Sequence, residues 1–242
     1  MTSSRFLVIA TVAAAMVTGR ATLAQQPAAD PAVQEVRQAI DAARKEVDAY
    51  KKAGGATDAA DQPAIKWDAA FWAYRERYPR SDAAALASAE AVRLLGRAGL
   101  WERSHARVAS LEADDPAWLR VASPVYDDGI ARKDLPYTID TLSRVVGATT
   151  NPAIKSSVGL IVGRAYRRQG DLAAATRALE AAKGASPGTP YAEEADGLIY
   201  EIKFLSVGLP APAVEGQTRS GPTISLASLR GKAVVLVFWG TT

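Results

Sequence analysis

No cysteine and a single histidine, His105, stand among the 242 residues. The residues given therefore offer no thiol nucleophile, no disulfide, no Cys/His zinc site and no haem-type Cys-x-x-Cys-His. What chemistry is left rests on carboxylates and aromatic rings. Asp114–Asp115, Asp127–Asp128 and Glu193–Glu194 are acidic doublets. Calcium binding or paired-carboxylate work needs oxygens at a fixed spacing, and the doublets do not supply it. Asp114–Asp115 before Pro116 reads as a helix N-cap with proline in the first turn. Asp127–Asp128 before Gly129 reads as a turn or helix end. Glu193–Glu194 reads as first-turn acid complementing a helix dipole. His105 sits mid-helix between Trp101 and Val108 and reads as a packed or half-exposed histidine rather than a ligand. Trp67, Phe71, Trp72 and Tyr74 read as core or groove lining rather than a cofactor box. No cofactor and no metal is expected.

The elements that carry these residues are helices. The sequence has 50 alanines, 48% hydrophobic and 7% aromatic residues, which favours helices packed closely through small side chains. Val33, Val36, Ile40, Ala43, Val47 and Tyr50 advance in steps of three and four, so all six share one helical stripe. That stripe packs on its own domain or forms a short coiled-coil dimer. Gly54–Gly55 ends the helix, and 56–62 reads as linker. From Ile65, helical patterns are separated by Tyr78–Pro79, Asp115–Pro116, Asn151–Pro152 and Ser186–Pro187, a recurrence of 35 to 37 residues. Such a period suggests stacked helical hairpins, with a plain helical bundle as the alternative.

Gly163, Tyr166, Gly170, Ala175, Leu179, Ala182 and Pro187 resemble the small, aromatic, turn, small, large, small and proline positions of a tetratricopeptide repeat. Asp134, Leu135, Thr138, Leu142 and Val145 echo Asp171, Leu172, Ala175, Leu179 and Ala182 at a separation of 37. The units around Trp67–Pro79 and Gly99–Pro116 match more loosely. The resemblance implies a scaffold with a concave face that takes a peptide or partner protein.

At the amino terminus, Arg5, the apolar run from Phe6 to Val17, and Ala21-Thr22-Leu23-Ala24 follow the order of a secretory signal cleaved after Ala24. The run is too short to span a bilayer. Export to the periplasm or secretion, without a stable membrane anchor, is expected. Arg5 and Arg20 lie in this segment, and their removal takes a net charge of +3 to 27 basic against 26 acidic side chains. A nucleic-acid partner gets no support from that balance.

Near Leu205 the pattern changes. Val207-Gly208-Leu209-Pro210-Ala211-Pro212 predicts an extended lead-in. Glu215–Pro222 reads as a polar turn region, Thr223–Ser225 as a short strand, and Leu226–Arg230 as a helical turn. Ala233 to Trp239 is a continuous β-branched and aromatic run, the pattern of a strand buried on both faces.

The blocks 207–212, 226–232 and 234–242 together resemble the opening of a thioredoxin-like domain of the TlpA/ResA and AhpC/TSA (redoxin) group. In that family the last block runs into a Cys-x-x-Cys at a helix start. The resemblance thus makes Phe238, Trp239, Gly240, Thr241 and Thr242 the residues flanking a redox motif expected just after Thr242. It also reads the given residues as a truncated piece, inactive as it stands. The implied activity is thiol–disulfide exchange with a protein disulfide substrate or redox partner. A low-pKa thiolate at a helix N-terminus would attack, and a second cysteine would resolve the mixed disulfide. A thiol peroxidase of the AhpC/TSA type and a non-catalytic helical-repeat adaptor are the alternatives. The expected organisation is a signal peptide (1–24), an amino-terminal helix and linker (25–63), a helical domain (64–205) and a thioredoxin-like beginning (206–242). The fold class is mainly α: tetratricopeptide-like hairpins followed by the first part of an α/β domain.

Overall fold

A computed structural model describes residues 30–55, 62–218 and 221–237. The signal segment 1–24 and the motif-flanking residues 238–242 lie outside the described residues. The chain is mainly α. Among the described residues there are nine α-helices: α1 (Pro31–Lys52), α2 (Pro63–Arg77), α3 (Asp82–Arg97), α4 (Trp101–Ala109), α5 (Trp118–Arg132), α6 (Leu135–Ala148), α7 (Pro152–Gln169), α8 (Leu172–Ala185) and α9 (Pro190–Phe204). A two-stranded sheet, β1 (Glu215–Gln217) and β2 (Thr223–Ser225), and a 3₁₀ turn (Leu226–Leu229) follow. No described helix is long and apolar enough to cross a membrane.

Helix starts are set by short polar side chains and prolines. Asp30, Ser81, Asp134 and Asp171 each accept a backbone N–H inside the helix they precede, which satisfies one of the orphan donors of a helix start. Asn151 does the same twice for α7, with Pro152 at the first helical position.

The described residues from Asp30 to Ile202 form one compact unit, and those from Lys203 onward belong to a second. In the first unit α1 packs on α2 and α3, α3 on α4 and α5, α5 on α6 and α7, and α7 on α8. Each of α3, α5 and α7 is thus joined by a tight turn to a helix it packs against. The α1 stripe lies where its periodicity puts it. Val36, Ile40 and Ala43 are buried against Phe71, Ala83, Ala87 and Leu94. The middle cluster joins Val92, Trp118, Val121, Leu142, Ile154 and Val158. The last joins Leu160, Leu179, Ala182, Ala195 and Ile199.

Close approach of α7 and α8 depends on a missing side chain. A Cβ on Gly163 would lie 2.5 Å from Leu179 Cγ, and one on Gly159 3.2 Å from Ala182 Cβ. The turn between α7 and α8 takes a left-handed residue, Gly170 at φ +92°. The α5–α6 turn puts Lys133 in the same conformation at φ 58°. A Cβ makes that conformation costly. Lys133 is exposed. Lys133→Gly is therefore expected to raise stability by about 0.5–1 kcal/mol, read as a shift in the denaturant midpoint at unchanged slope.

Three expectations are corrected. Asp127–Asp128–Gly129 is no turn or helix end: α5 continues through it to Arg132. Gly129 is there because α6 comes close, its absent Cβ leaving room for Thr138 Oγ1. Of the Asp114–Asp115 doublet, Asp115 accepts from Ala117 N at 2.8 Å just ahead of α5, in keeping with the cap reading, whereas Asp114 reaches across to Thr149–Asn151, as described below. Residues 233–237 form no strand. An apolar β-branched run becomes a strand only where a neighbour pairs its N–H and C=O groups, and among the described residues β1 and β2 pair with each other alone.

Candidate functional site

The resemblance points to the carboxyl-terminal unit. After α9 the prolines at 210 and 212 keep the chain out of helix, and residues 210–214 have no regular structure. β1 and β2 then pair antiparallel, Glu215 opposite Ser225, Gly216 opposite Ile224 and Gln217 opposite Thr223. The region read as a turn is thus shorter than expected, because Glu215–Gln217 joins the sheet. Thr218 N–H donates to Pro222 O at 3.0 Å and Gly221 N–H to Thr218 O at 3.0 Å, which closes the turn.

Leu226 N–H reaches back to Val214 O at 3.0 Å and ties the 3₁₀ turn to the residue that precedes β1. Ser225 caps that turn: its Oγ accepts from Ser228 N at 3.3 Å, while Ser228 Oγ donates to Ser225 O at 2.6 Å. Leu229 is buried. It shares a crevice of only about 20 Å³ with Val214, Ile224 and Val234. Beyond it the apolar run opens. Val235 and Val237 are 65% and 61% exposed, an unusual state for a valine-rich segment.

On the helical unit the carboxylates are engaged in holding helices together. Asp68 on α2, almost wholly buried, accepts from Arg107 Nε at 2.9 Å and Nη2 at 3.0 Å. The Arg107 guanidinium also stands 4.4 Å from the Trp72 ring centroid, a cation–π contact. Arg75 of α2 is bonded to Asp115. Asp114 accepts from Thr149 Oγ1 at 2.6 Å, Thr150 N at 2.8 Å, Thr150 Oγ1 at 3.0 Å and Asn151 N at 3.2 Å. Those donors, the Thr149 hydroxyl foremost, hold its carboxyl at about 2. These links join α2 to α4 and to the α4–α5 loop, and that loop to the α6–α7 loop. None sets a nucleophile against a base. Among the described residues no group of three or more His, Asp or Glu side chains could hold a metal.

Asp128 differs from the others. It is buried among α3, α4 and α5, and its Oδ2 accepts from Ser104 Oγ at 3.1 Å. A Cβ on Gly96 would overlap its Oδ1, so α3 presses directly on the carboxyl. Burial raises its pKa to about 6, with the Asp127 charge adding to the rise and Ser104 and Arg132 opposing it.

His105 is a packed helical histidine. Its ring stacks on Tyr137 with centroids 3.8 Å apart, and Arg132 Nη1 lies 2.7 Å from Nε2. Arginine only donates, so Nε2 accepts and the ring proton sits on Nδ1. Glu193 lies in the first turn of α9, in keeping with the dipole reading. Phe71 is fully buried, and Trp67, Trp72 and Tyr74 pack partly buried on the same cluster. Sequence reasoning missed the buried Asp128 and the cross-hairpin pairs, because neither burial of a lone acid nor a pairing across some forty residues leaves a local pattern. No protein-family model, no curated protein and no solved structure matches the chain.

Proposed function

We propose that this chain joins a tetratricopeptide-like helical scaffold to the opening of a thioredoxin-like domain, and that the protein it belongs to is an exported thiol–disulfide oxidoreductase. One observation carries this reading. A short hairpin, a 3₁₀ turn and a loop lead into an apolar β-branched segment in the order of the three sequence blocks, and among the described residues that segment has no strand to pair with. A run such as Val234-Val235-Leu236-Val237 suits the middle of a sheet, and its exposure here fits a fold whose other strands stand elsewhere. The scaffold reading is supported by tight-turn hairpins packed on their neighbours and by the 37-residue echo between the Asp134 and Asp171 caps.

In this reading the helical unit presents the redox unit to a protein disulfide. The cysteines belong directly after Thr242, at a helix start whose N–H groups stabilise a thiolate. A helical adaptor with no catalysis is the second reading, and the stacked hairpins alone favour it. Tested as it stands, the 242-residue polypeptide is expected to leave the rate of insulin reduction by dithiothreitol unchanged, since it holds no thiol. Catalysed turnover by this polypeptide would refute the assignment of the chemistry to a dithiol beyond Thr242.

A further inference from the structure

Asp128 of α5 is 7% exposed, and its carboxyl meets one donor, Ser104 Oγ of α4, at 3.1 Å from Oδ2. Among the described residues Oδ1 accepts no hydrogen bond, and it lies against Gly96 of α3. An ionised carboxylate is an acceptor at both oxygens, so one hydroxyl leaves the charge poorly served in the protein interior. The neutral acid asks for less. The surrounding groups do not make up the deficit. On α5, Asp127 opposes ionisation, and Arg132 favours it from a distance. The Arg132 guanidinium is turned to His105 Nε2 at 2.7 Å and to Asp134 at 3.7 Å. On α6 the Tyr137 phenol feels the Asp128 charge. From α3 the carboxyl meets the glycine, and from α4 the serine.

The element pinned by this carboxyl is the one with the fewest other holds. α4 has nine residues and is the shortest described α-helix. Leu100 stands at its N-cap and gives no side-chain cap. Gly99, left-handed at φ +75°, joins it to α3, the helix it packs on. Its inner face buries Ser104 and Val108. Asp68 of α2 holds the outer side, by two bonds from Arg107 and at 3.7 Å from Arg103. A short helix without a cap belongs to the class of elements that open at a cost below that of global unfolding. Water reaches both oxygens of Asp128 when Ser104 moves away.

We infer that Asp128 makes α4 a pH-sensitive clasp: with the carboxyl protonated α4 stays seated on α3 and α5, and with the carboxyl ionised α4 lifts to let water reach the charge. The inference is independent of the redox reading. Hydrogen–deuterium exchange of the 242-residue polypeptide tests it, read on α4 and α7 at pH ~5 and ~8 with the intrinsic rates divided out. Protection of α4 is expected to be lower than that of α7 and to fall about tenfold from the lower pH to the higher, for a carboxyl that titrates near 6 when closed and near 4 when open. Low denaturant should leave the α4 rate unchanged, since a local opening exposes little surface. Asp128→Asn keeps the shape, cannot ionise, and should abolish the fall. His105, also on α4, remains in that variant and works in the opposite direction, so it cannot imitate the effect. Equal α4 protection at the two pH values, α4 exchange only as fast and as denaturant-sensitive as that of α7, or a fall that persists in Asp128→Asn would overturn the proposal.

Discussion

Leu179→Ala is expected to destabilise the helical unit by about 3–5 kcal/mol, the largest effect of any single side chain considered. Leu179 is fully buried in the cluster that joins α7, α8 and α9. Truncation loses the transfer energy of its removed carbons, and the hole remains because helix backbones on both sides limit collapse. The same site makes a second, opposite lesion possible. Gly163→Ala adds a methyl that would stand 2.5 Å from Leu179 Cγ and 2.6 Å from Cδ2, an overpacking that costs roughly 1–3 kcal/mol. The two changes should compensate. Alanine at 179 removes the atoms that alanine at 163 would strike, so the double variant should be less unstable than the two losses added together. Denaturant unfolding of all four proteins reads this coupling, and strict additivity would show that Gly163 and Leu179 do not share one gap.

The second large effect concerns pH. Asp128 has a folded-state pKa of about 6 against an ordinary value just below 4. A raised value means that the protonated acid suits the fold. Its favourable contribution is complete below pH ~4 and is lost as pH rises through about 6. Full ionisation costs up to about 3 kcal/mol. Asp128→Asn is expected to be more stable than the parent at pH ~8, by about 1–2 kcal/mol once its own buried amide is allowed for. Near pH ~5 it should show no such gain. His105 acts in the opposite direction over the same window. Its lowered pKa contributes stability above the ordinary histidine value that fades as pH falls. The comparison of variant with parent cancels that background. A gain that is the same at both pH values would show that Asp128 does not titrate between them.

Much of the helical unit was legible in the sequence because burial repeats locally. The six-residue stripe of α1, the breaks at Pro79, Pro116, Pro152 and Pro187, and the echo of Asp134 in Asp171 follow from periods of three, four and 37. Features that depend on a partner far along the chain were not. Asp68 with Arg107 is separated by 39 residues and Arg75 with Asp115 by 40, close to the repeat length, yet no spacing rule chooses one partner from many arginines. Asp128 looked like part of a turn because Gly129 followed it. The glycine answers instead to the close approach of α6. Pro124 inside α5 gave no warning either, since proline usually ends a helix. At the carboxyl terminus the sequence predicted β2 and the helical turn. The expected strand over 233–239 found no hydrogen-bonding neighbour in 233–237. A run of valines specifies that it should be buried, and only other strands can make it a strand.

The redox assignment can be tested most directly by reading the codons that follow Thr242 in the gene. A cysteine within the first few positions and a second one three places after it is the expected result. A stop codon in an intact gene, or a continuation without that pair, would contradict the account and leave a helical scaffold with a short hairpin appended.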